Sequence, residues 1–126
     1  MLSYETYKVM HIVGALMTIS GLAGVALFSW IASTQAAGAL QAHPARKLAA
    51  ATHGFGLLVI LIAGFGMLAR LKIPTNQPWI AGKLVIWVVL GGMIVLAKRM
   101  PKKAPMVWLL AFILGGAAAY LAIYKP

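Results

Sequence analysis

The chain has 126 residues, 63% of them hydrophobic, with a mean hydropathy of +0.93, eleven Lys and Arg against a single acid, a net charge of +10 and no cysteine. That composition makes it a multi-span membrane protein, excludes a soluble enzyme, and rules out disulfides, thiolate nucleophiles and Cys-ligated metals or iron–sulfur clusters. Nucleic acid is not an expected partner, because the basic residues mostly flank apolar runs, where membrane topology accounts for them, and no recognition motif accompanies the charge.

Met1 to Lys8 is a short polar segment holding Glu5, the sole acidic residue. The apolar run that follows is too long for the h-region of a signal peptide and lacks a basic n-region, so it reads as a retained span over 7–31. Thr34 to Lys47 is polar and small, with Pro44 placed to open the next helix, where its missing N–H costs nothing. The second span covers 46–71, Lys72 to Pro78 makes a tight connection, and the third span covers 79–98. Lys98 to Pro105 carries four basic residues and two prolines ahead of the last span, 106–124. All six prolines fall outside the spans or at their ends, so no helix is kinked by proline. The expected architecture is all-α: one domain over residues 1–126, an integral membrane four-helix bundle with both termini on the same side.

Six basic residues, Arg46, Lys47, Lys98, Arg99, Lys102 and Lys103, lie on the side of the first and third connections, against Lys8, Arg70, Lys72 and Lys125 on the other. The positive-inside rule then puts both termini on the non-cytoplasmic side. Trp30, Trp79, Trp108, Tyr120 and Tyr124 sit near span ends, as interfacial belts require. Glycines recur in every span, and small residues let membrane helices approach closely; Gly14 and Gly21 in the first span, and Gly115 with Ala119 in the fourth, are expected at close helix contacts, within the subunit or in a homo-oligomer or larger membrane complex.

Lys83 lies one turn inside the third span, below Trp79. A lysine at a span centre costs about 2.5–3.5 kcal/mol, less toward the end, so Lys83 should face the bundle interior or snorkel to the headgroups. His11 lies in the first apolar turn of the first span, in the same leaflet, and heads a stripe of small and polar residues, Gly14, Thr18 and Gly21, at intervals of three and four. His53 enters from the opposite side; counting from each interface separates it from His11 by roughly 20 Å, which makes the two poor partners for one iron. His43, in the loop before Pro44, is expected to be solvated.

This inventory has no paired carboxylates, no histidine-rich metal cluster and no Ser/His/Asp set, so hydrolysis is not expected. No acid lies inside a span, as proton-coupled transport usually requires, and Glu5 precedes the first helix, where a small-multidrug-transporter reading needs a glutamate within it. What remains is an imidazole suited to haem iron and an ammonium suited to a carboxylate.

Several short motifs resemble one family. They are Tyr7-Lys8-Val9-Met10-His11-Ile12, the Arg46-Lys47-Leu48 start of a glycine-rich helix ending Gly64-Phe65-Gly66-Met67-Leu68, Trp79-x-x-x-Lys83-Leu84, and the Lys125-Pro126 ending. Together they resemble the HemJ-type membrane protoporphyrinogen IX oxidases and, more loosely, their copper-resistance D-like and SirB-like relatives, over nearly the whole chain. The resemblance implies a bacterial inner-membrane location, haem b, a porphyrin-type small molecule, and, in the oxidase, removal of six electrons from protoporphyrinogen. It also implies a required first-helix histidine, here His11 as iron ligand with Gly14 beneath it, and a required lysine, here Lys83 as catalytic or substrate-positioning group. The chain departs from that family toward the end of its first helix, where it has only Gly21 to Ser29 followed by Trp30 in place of the family's further aromatic, arginine and histidine residues, and in its shorter length. The expectations therefore divide between a haem-associated membrane redox protein and a non-catalytic four-helix subunit or assembly factor. Lys83 beside His11 favours the first, because a packing subunit does not need to bury an ammonium at that depth.

Overall fold

The computed structural model describes residues 1–34 and 43–125; most of the first connection, 35–42, and Pro126 lie outside the described residues. Four helices carry the fold: α1 (Tyr4–Thr34), α2 (Pro44–Leu71), α3 (Pro78–Arg99) and α4 (Ala104–Tyr124). A 3-10 turn, Pro101–Lys103, leads into α4. All four are long and apolar enough to cross a bilayer, which bears out the all-α membrane bundle and places Tyr4 and Tyr124 at one end.

The helices overrun the expected spans because their caps lie in the polar flanks. Ser3 caps α1, its hydroxyl 3.1 Å from the Thr6 N–H, so the helix starts three residues before the apolar run. At α2 the N-cap is His43, whose Nδ1 accepts from the Ala45 N–H at 3.1 Å while its ring stacks on Phe28 at 5.9 Å. His43 thus has a structural task that its loop position did not announce. At the other end of α2, Lys72 takes a left-handed conformation (φ 53). Its N–H reaches Ala69 O and that of Ile73 reaches Leu68 O, a Schellman closure that hands the chain to Pro74.

Two different seams join α1 to its neighbours. One is a side-chain core in the connection-side half: Leu22, Val25 and Ala26 of α1 against Leu90, Met93 and Ala97 of α3 and Ala104, Val107 and Ala111 of α4. The other is the long antiparallel contact between α1 and α2, in which glycine brings backbone onto backbone. A Cβ on Gly21 would lie 2.5 Å from the His53 nitrogen and 2.6 Å from Ala49 O; one on Gly56 would lie 2.6 Å from the Thr18 nitrogen. Gly14 is equally committed, 3.0 Å by the same measure from the Ile60 nitrogen. Gly14 and Gly21 therefore stand at close contacts within the subunit. In α4, Gly115 meets Ile19 of α1, whereas Ala119 is exposed. Between α2 and α3 contact is sparse, and the Trp87 indole N–H bridges them by donating to Leu57 O at 2.9 Å.

Candidate functional site

At the end of the bundle that holds the termini, α1 presents Tyr7 and His11 to α2, and two glycines receive their rings. A Cβ on Gly64 would touch the His11 ring at 3.4 Å, and one on Gly66 would overlap the Tyr7 ring. The Gly64-Phe65-Gly66 run is a seat for two aromatic side chains. His11 Nδ1 lies 3.1 Å from Ile60 O. A carbonyl only accepts, so Nδ1 carries a proton; in the neutral ring Nε2 then holds the lone pair that a metal ion or a proton would take. The ring is half-buried.

His53 repeats this arrangement from the other helix. Its Nδ1 donates to Thr18 O at 2.9 Å, the residue is 1% exposed, and its Nε2 has no hydrogen-bond partner among the described residues. The two histidines are related by a local pseudo-twofold axis across the α1–α2 seam. Each opens a His-x-x-Gly segment, His11 to Gly14 and His53 to Gly56, and each bonds the carbonyl that lies seven residues after the other histidine, Ile60 or Thr18. The repeated His-x-x-Gly spacing was available in the sequence as the signal for this pairing. Seven residues of helix amount to about 10 Å. The histidines are thus nearer than a count from the interfaces gives, because the glycine contacts set the stagger of α1 and α2, yet they remain too far apart to share one iron.

Lys83, in the second turn of α3, lies toward the same end of the bundle as His11 in the second turn of α1. Its Nζ lies 5.0 Å from the centre of the Trp79 indole, and it has no hydrogen-bond or ion-pair partner among the described residues. Lys125, which the sequence pattern did not join to Lys83, brings a second ammonium to the same indole at 5.5 Å. His11 and Lys83 therefore share one end of the bundle. Gly14, by contrast, is spent on the α2 backbone and leaves no bare surface beneath His11 for a flat ligand. Among the described residues, no three His, Cys, Asp or Glu side chains converge as a metal cluster would require. The donor set fits haem in that a haem iron needs one imidazole lone pair, which His11 offers, and its carboxylates need cations, which Lys83 and Lys125 offer.

The family model described as "Predicted integral membrane protein (DUF2269)" matches residues 5–111, and the chain belongs to that family. No curated protein and no solved structure matches it. The match extends from the first turn of α1 to the middle of α4, so it takes in His11, His53 and Lys83 and stops short of Lys125.

Proposed function

We propose that this DUF2269 member is a haem-associated membrane redox protein similar in type to the HemJ protoporphyrinogen IX oxidases. The observation that carries the reading is the His11 Nδ1 bond to Ile60 O, which holds the ring so that Nε2 of the neutral imidazole can ligate, at the same end of the bundle as Lys83. His11 would ligate the iron from α1, and Lys83 would hold a ligand carboxylate, which offsets part of the cost of its own burial. Haem b, when bound, supplies the electron-transfer chemistry; the chain's residues bind and orient it in the terminal half of a bacterial inner membrane protein. An absorption spectrum tests this. Protein from a haem-replete host should show a Soret band that His11→Ala removes and Lys83→Met weakens, while His53→Ala leaves it largely unchanged. Colourless protein that gains no Soret shift on titration with haemin would overturn the reading.

One observation favours a second reading, a non-catalytic subunit or assembly factor. Gly54, Gly92 and Gly116 meet nothing within 4 Å, so three stretches of bare helix backbone face outward from the single chain. In a membrane such surfaces suit close contact with another helix. Under this reading the detergent-solubilised protein is an oligomer, or co-purifies with a larger complex, and Gly92→Leu or Gly116→Leu breaks the assembly while the chain itself stays folded.

A further inference from the structure

We infer that Trp79, Lys83 and Lys125 form a lipid-headgroup seat, which in the ligand-free protein holds the phosphate of an anionic phospholipid at the terminal face of the bundle. The geometry is built rather than incidental. Gly82 admits Leu121 of α4, with a Cβ at Gly82 only 3.0 Å from Leu121 Cδ1, so the end of α4 lies against the first turns of α3. Lys125 then closes α4 in a left-handed cap (φ 42), its N–H on Leu121 O at 3.2 Å, and its ammonium comes to 5.5 Å from the Trp79 centroid. Lys83 reaches that indole from within α3, at 5.0 Å. Each cation gains from the ring face, but the two repel one another. An anion between them would relieve that repulsion.

Among the described residues no acidic side chain stands between these two ammonium groups. Glu5 is the chain's sole acid, stands fully exposed at the start of α1, and is within Coulombic range of Arg70 and Lys8 instead. What surrounds a Trp and two lysines at the end of a membrane helix is the headgroup layer, whose abundant anion is phosphate. The seat needs no iron ligand, so it stands independently of the haem reading, although a porphyrin carboxylate would compete for it.

Native mass spectrometry of the full chain in neutral detergent tests the seat, with phosphatidylglycerol and phosphatidylcholine supplied in equal amounts. Phosphatidylglycerol should be retained preferentially. Lys125→Gln, at an exposed helix end where folding is not at stake, should cut that retention about five-fold, and Lys83→Gln by a similar factor, the worth of one lysine near an anionic lipid. Lys102→Gln, at the opposite end of the bundle, should leave it unchanged. Equal retention of the two lipids, wild-type retention in Lys125→Gln, or an equal loss in Lys102→Gln overturns the inference. A dicarboxylic porphyrin that binds where phosphatidylglycerol does not would overturn the lipid assignment and leave the haem reading standing; the reverse result sinks the haem reading alone.

Discussion

The two seams of α1 hold the bundle by opposite means. Against α3 and α4, α1 uses side chains: Leu22 and Val25 are fully buried among Leu90, Met93, Val107 and a set of alanines. Against α2 it uses the absence of side chains, with Gly14, Gly21 and Gly56 at backbone-to-backbone distance and two histidine-to-carbonyl bonds across the contact. In lipid no hydrophobic effect separates a buried leucine from one facing acyl chains, so the first seam rests on dispersion and shape, the second on close approach and polar bonds. The difference bears on function. A seam of side chains tolerates repacking, whereas a seam of backbone fixes register, and it is the register of α1 on α2 that aims the His11 and His53 rings.

The comparison breaks most sharply at Gly21. Any side chain there meets the main chain of α2, which cannot swing aside, so Gly21→Leu should cost more than about 3 kcal/mol, beyond the usual range for overpacking. Thermal unfolding in detergent reads the loss; wild-type stability would falsify the backbone seam. Leu22→Ala, one residue on but facing the other seam, should cost less, about 2–3 kcal/mol and near the low end for cavity creation, because a membrane core loses packing without losing a transfer gain. The outcome to watch is whether the His11 environment stays unchanged in its imidazole NMR signals, as independent seams require. Trp87→Phe removes the N–H donated to Leu57 O and should cost about 0.6 kcal/mol, the mean for such bonds between membrane helices. A loss several times larger would mean that α2 and α3 depend on this bridge alone. Smallest of all, Gly54→Ala should move stability by less than about 0.5 kcal/mol, since a Cβ there meets nothing within 4 Å.

Much of the architecture was legible without coordinates. Runs of apolar residue, prolines at their ends and flanking charge located four spans, and the error lay only at the ends, where Ser3 and His43 cap helices inside segments that read as polar flanks. The stripe His11, Gly14, Thr18, Gly21 was legible as a helix-facing surface, and antiparallel alternation placed Lys83 at its depth. The partner of that stripe was not. Glycine in every span pointed to close contact without naming which helix each one meets, and the coordinates put Gly14, Gly21 and Gly56 on the α1–α2 contact.

The physical reason lies in the solvent. In water, an apolar stripe against a polar one tells which face of a helix is buried. In a bilayer both the lipid and the interior are apolar, so composition determines that a segment spans and how deep each charge sits, while leaving its rotation and its neighbours open. Sequence alone therefore determined the number of helices, their order, the shared end of His11 and Lys83, and the single acidic side chain, Glu5, set against the basic residues of that end. Tertiary structure alone decided that α2 takes the glycine face of α1, that His53 mirrors His11 across it, and that Lys125, forty-two residues beyond Lys83, comes to the same indole. Those facts depend on which backbones can approach to within a few ångströms, and close approach is a property of surfaces meeting in space.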